Sequence, residues 1–150
     1  MADFIVTSRA VKRHGPCAPG WLAHLRATGK RGEDDDAISI AEIVTGNSFE
    51  NALFACRALP DRESTWRGFL AWCAEQAAAA ADGKQSRDRA QQAAQCAKQE
   101  NLWDALVRCP ALAQQAAGWA AHAKGEDYRT AANAARQNQI DEFLRRVSAT

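Results

Sequence analysis

The sequence predicts an all-α fold, about seven to eight helices packed as a bundle or a short stack of helical hairpins, with an extended N-terminal arm. Three observations predict it. About a fifth of the 150 residues are alanine, the strongest helix former. Apolar residues recur at helical spacing in successive segments, and Trp66, Phe69, Leu70, Cys73 and Ala77 show the pattern most clearly. Between the segments stand helix stops, Gly29, Gly46, Pro60, Gly83, Pro110 and Gly125, with no convincing strand pattern among them. A chain of this length can bury one real core. Residues 1–150 are therefore read as a single domain, 1–16 as the arm and 17–150 as the helical core.

In order along the chain, Phe4, Ile5 and Val6 and the basic Lys12, Arg13 and His14 show no helical period, hence the extended arm. Pro19 suits the first turn of a helix carrying Trp21, Leu22 and Leu25, which Gly29 ends. Lys30 to Asp36 is a charged loop. Ser39 and Glu42 then form a capping box ahead of Ile43 and Val44, with Gly46 as the stop. Ser48 can cap a third helix with Phe49, Leu53, Phe54 and Cys56, closed before Pro60 because the residue before proline avoids the helical region. Asp61 opens the longest helix, the expected centre of the core, and Gly83 terminates it. A fifth helix runs from Ser86 to about Glu100. A sixth holds Leu102, Trp103, Leu106 and Val107 and breaks at Pro110, a seventh spans Ala111 to Ala123, and Asp127 caps the last, through Val147. The segment Ala90-Gln91-Gln92-Ala93-Ala94 recurs at Ala113 to Ala117, and Ala131, Ala132, Ala134 and Ala135 echo it, which suggests stacked hairpins.

Nineteen Lys and Arg against 18 Asp and Glu leave a formal charge of +1 with no strong basic cluster, so direct nucleic-acid binding is not expected. The longest apolar run, Ala77 to Ala81, is far too short for a bilayer, so no membrane association is expected either. Five scattered cysteines without a Cys-x-x-Cys pair read as small buried residues in a reducing, cytoplasmic setting.

Candidates for chemistry are few. His14, Cys17 and His24 match no standard zinc spacing, and no phosphate loop, nucleophile elbow or His-Glu-x-x-His helix is present. The chain is read as a non-enzyme with no cofactor and no metal. A small cysteine-dependent enzyme requires folding to join a cysteine, a histidine and a carboxylate in one pocket. Binding residues are easier to nominate. Trp72 lies off the face set by Trp66, Phe69, Leu70 and Cys73, so it either fills a second interface or serves as an exposed anchor. Arg57, Arg62 and Arg67 flank the Pro60 corner and offer a basic edge, and Glu33, Asp34, Asp35 and Asp36 are the one acidic run, otherwise a solvated loop balanced by Lys30 and Arg31.

The segment Gly15-Pro16-Cys17-Ala18-Pro19-Gly20-Trp21, then Asn51-Ala52-Leu53 with Cys56-Arg57-Ala58-Leu59, then Arg67, Phe69 and Ala71-Trp72-Cys73-Ala74 resembles a group of phage and prophage proteins. That group is similar in turn to the alanine-rich, Imm5-like immunity proteins. The resemblance covers about residues 15 to 80 by motif and the rest by composition. It implies an all-helical, non-catalytic protein with no defined site, whose partner is another protein: a host defence component, as for an anti-CRISPR-like inhibitor, or a toxin neutralised by an immunity protein. A monomer or small homo-oligomer is expected. The competing class is a structural, oligomeric phage component, which predicts a symmetric assembly and a large apolar patch.

Overall fold

The computed structural model describes residues 4–46 and 49–148, so the Ser48 cap lies outside the described residues. The fold is all-α: among the described residues there are eight α-helices and one two-stranded sheet. No helix among the described residues is long and apolar enough to cross a membrane. By internal contacts the chain divides into two compact units, 1–63 with 144–150, and 64–143.

The first unit is built from short elements. Strand β1 (Ile5–Thr7) pairs antiparallel with β2 (Ala37–Ser39) in the register Ile5↔Ser39, Val6↔Ile38 and Thr7↔Ala37. The sheet departs from the expectation of no strands. Its alternation spans three residues a side, with Val6 and Ile38 buried between exposed or half-buried neighbours, too short a period to read from sequence. The expected arm is thus extended at β1 and then turns into helix α1 (Ser8–Lys12), whose amides begin on a Thr7 hydroxyl cap. Helix α2 (Ala18–Thr28) starts with proline in its first turn and ends at Gly29, where φ of +67° favours glycine. Helix α3 (Ile40–Thr45) begins with the Ser39–Glu42 capping box complete in both directions, at 3.0 and 2.7 Å. Helix α4 (Phe49–Ala55) runs through a 3₁₀ turn at Cys56–Ala58 to the Pro60 corner. Phe4, Val6, Val11, Ile38, Ile40, Ile43 and Phe49 are buried here, an aliphatic core with two phenylalanine rings in it.

The second unit consists of long helices. Helix α5 (Glu63–Ala80) buries Trp66, Phe69, Leu70, Cys73 and Ala77, the face read from the sequence. It stops before Gly83, whose φ of +78° instead turns the chain into helix α6 (Gly83–Ala97). Ser86, expected to start that helix, lies inside it and is buried, its hydroxyl donating to the Ala116 carbonyl at 2.7 Å and accepting from the Asp82 amide at 3.2 Å.

The break expected at Pro110 is absent. Helix α7 (Leu102–Ala123) is continuous through it. An interior proline costs roughly 3 kcal/mol or more, while burying one leucine contributes roughly 1.5–3 kcal/mol. Leu102, Leu106, Cys109, Ala113 and Ala116 form one buried face on both sides of the proline, and that face offsets the cost. Helices α6 and α7 make a tight hairpin, and the alanine repeat explains the fit: Ala90 and Ala93 in one copy, and Ala113 and Ala116 in the other, are all buried. Helix α8 (Tyr128–Ser148) begins on the Asp127 carboxylate, which accepts from the Thr130 amide at 2.6 Å; its residues through Phe143 belong to this unit. Trp66 stacks on Phe143 at 5.9 Å and Phe69 meets the same ring edge-on at 5.2 Å, which closes an aromatic cluster at the centre.

Candidate functional site

Within the second unit a groove opens between α5 and α8, with α7 as its floor. It encloses about 270 Å³. Alanines make it: Ala77 on α5, Ala113 and Ala117 on α7, and Ala131, Ala134 and Ala135 on α8 leave space where larger side chains would close the helices together. The α8 alanines are the third echo of the repeat. Where Ala90, Ala93, Ala113 and Ala116 of the first two copies are buried, these are half-buried or exposed, so the sequence signal was present but its meaning depended on which helix face found a partner.

Trp72 stands at the side of this groove. Its ring stacks on Phe69 at 6.4 Å with the planes 18° apart, and the side chain is half-buried, so both readings of this residue meet at one position: internal packing on one neighbour and a partly open surface beside the groove. Three amides complete the lining. Gln76 and Asn138 are exposed at the rim, while Gln139 is buried and bonded twice, donating to the Pro110 carbonyl at 3.0 Å and accepting from Gln114 Nε2 at 2.7 Å. No lining side chain carries a charge.

The other nominated residues are engaged elsewhere. Arg57 lies over the Phe54 ring at 4.8 Å, and Arg62 over Phe4 at 5.4 Å with the Asp61 carboxylate 3.6 Å from its Nε. Arg67 donates to the carbonyls of Gln99 and Glu100, just beyond the C-terminal end of α6, where a cation is favoured by the helix dipole. Each carboxylate of the acidic run is paired, two to each of two cations. Asp34 and Asp36 hold Lys30 at 3.0 and 2.9 Å, and Asp35 and Glu33 hold Arg9 at 2.8 and 3.6 Å. The Lys30 ammonium accordingly keeps the Asp36 carboxyl below the usual carboxylate range.

Cysteine chemistry finds little support in the interior. Burial raises the Cys56 thiol well above its ordinary pKa and pushes Cys109 up to about 12, while the Cys109 thiol points at the Leu70 and Ala93 carbonyls, both at 3.6 Å. Among the described residues no three His, Cys, Asp or Glu side chains gather as a metal site. One polar pair was not foreseen. Ser8 Oγ lies 3.3 Å from His24 Nε2, both residues buried, while His24 Nδ1 is buried without a protein partner and Trp21 stacks on the ring at 5.4 Å. Burial lowers the His24 pKa below its ordinary value, with the Asp34 carboxylate acting in the opposite direction. Compared with known protein families, curated proteins and solved structures, the chain matches none.

Proposed function

We propose that this chain is a non-catalytic protein-binding module. The observation that carries the reading is the placement of Trp72, an aromatic already stacked on Phe69 and half-open beside an uncharged groove. An anchor held in place before binding loses little side-chain freedom on association, which is why such aromatics contribute most at protein interfaces. The resemblance of residues 15 to 80 supplies the biological setting: a stoichiometric inhibitor of a host defence complex, or an immunity protein neutralising a toxin, encoded by a phage or mobile element. The five free cysteines, Cys17 exposed and the rest buried, fit a reducing cytoplasmic setting.

Affinity capture of the tagged protein from bacterial lysate, followed by mass spectrometry and size-exclusion chromatography, tests the proposal. One stoichiometric protein partner, with capture reduced at least about tenfold in Trp72→Ala, is the expected result. A self-associated protein with no partner overturns it in favour of a structural, oligomeric role.

A further inference from the structure

We infer that the groove between α5 and α8 receives one amphipathic helix of the partner protein, seated by two uncharged apolar side chains about one turn apart. The inference deepens the protein-binding proposal and rests on it. Its first ground is dimension. The α5 wall runs from Trp72 to Ala80 and the α8 wall from Ala131 to Gln139, nine residues each, whose end-to-end rise is roughly 12 Å of helix, about two turns. A dry apolar cavity of about 150 Å³ accepts one benzene-sized group, so the 270 Å³ of the groove suits two such groups side by side along its length.

The second ground is electrostatic complementarity. The lining holds alanine methyls, one indole and three amides, and no charged side chain. A Lys, Arg, Asp or Glu placed there would lose its hydration without gaining a counter-charge, so the inserted groups are uncharged. The third ground is backbone accounting. An extended peptide carries an unpaired N–H and C=O at every residue and needs a sheet edge or a row of polar groups to accept them. Apart from the last-turn carbonyls of α5, the groove walls are helix interior whose backbone groups bond within the helix, and Gln139 is bonded to Pro110 and Gln114, so a guest backbone would meet one helix end and the rim amides Gln76 and Asn138 and no continuous row of partners. A helix satisfies its own backbone and presents side chains alone. The alanine walls then let its axis approach closely, and Trp72 packs against its flank.

The test is a titration of the full-length, ¹⁵N-labelled chain with a synthetic alanine-lysine helix carrying two leucines four residues apart. The expected result is saturable shifts of the Trp72 indole N–H and of the Ala77, Ala117 and Ala135 amides. These shifts should be absent with a peptide whose leucines are serine and with one whose helix is broken by proline between them. Ala135→Phe, which fills the groove from a half-buried helical position, is expected to weaken the interaction at least about tenfold, and Ala131→Leu serves as the second variant should the first unfold. An absence of shifts at the groove, or equal shifts with the proline-broken peptide, overturns the inference. Capture of the same lysate partner by wild type and Ala135→Phe alike overturns the groove assignment while the protein-binding proposal stands. Loss of any partner in wild type overturns that proposal, and the peptide titration still decides the groove.

Discussion

The two compact units reach a packed interior by different routes. Residues 1–63 with 144–150 use short helices and a two-stranded sheet around Val, Ile and Phe side chains, locked by local polar devices such as the Thr7 cap, the Ser39–Glu42 box and the Ser8–His24 pair. Residues 64–143 use long alanine-rich helices around one cluster of large rings, Trp66, Phe69 and Phe143. The difference teaches where open space comes from. In the second unit alanine lets long helices approach in one place, the α6–α7 hairpin, and leaves an uncharged groove in another, beside Trp72, whereas the opening of about 440 Å³ among the short elements of the first unit is lined by Lys30 and Glu42 as well as Ile38.

Four measurements break or sharpen that contrast. The largest effect is expected where one ring carries the packing. Phe143→Ala should destabilise by about 3–5 kcal/mol in urea unfolding, against about 0.5–1.5 kcal/mol for Ile43→Val in the aliphatic core. Losses of equal size would mean that the rings are no more central than the aliphatics. Next is Gly118→Ala. Helix propensity favours the substitution by about 1 kcal/mol, yet the new Cβ would stand 2.6 Å from the Tyr128 ring. Overpacking costs typically about 1–3 kcal/mol, so a lowered thermal midpoint is expected, and a raised one would show that Tyr128 yields freely.

The local devices should have smaller effects. Ser39→Ala removes the capping hydroxyl and should cost about 1 kcal/mol by the same urea measurement. An effect below detection would mean that Glu42 and β2 hold the start of α3 unaided. The fourth concerns acid. The folded state keeps His24 neutral, so its pKa there is depressed below the unfolded value near 6.5. The unfolded chain then binds more protons as pH falls through that value, and the stability held by neutral His24 is present above it and lost progressively below it, toward the folded pKa. Thermal midpoints of wild type should therefore fall between pH 7 and 5 relative to His24→Phe. Parallel curves would show that the folded protein takes up the imidazole proton over the same range as the unfolded chain. The lowered pKa values of Asp36 and Asp127 act in a separate window, with stability lost only as pH falls below the ordinary carboxylate value.

Local rules legible in the sequence determined a good deal of this protein. The all-α class, the α2 stop at Gly29, the capping box at Ser39, the buried face of α5 and the Asp127 start of α8 all follow from contacts within one or two turns, which neighbouring residues specify by themselves. What only the tertiary structure decided depends on partners distant along the chain. Pro110 sits inside a helix because a long buried face outweighs the lost hydrogen bond, Ser86 became a cross-helix tie because Ala116 faces it, and Asp34 to Asp36 became the counter-charges of Lys30 and, with Glu33, of Arg9. The groove is the strongest case. Alanines with the same local pattern close one helix pair and line an opening in another, because an alanine's contribution is set by the distance of the neighbouring helix, a quantity that local sequence does not encode.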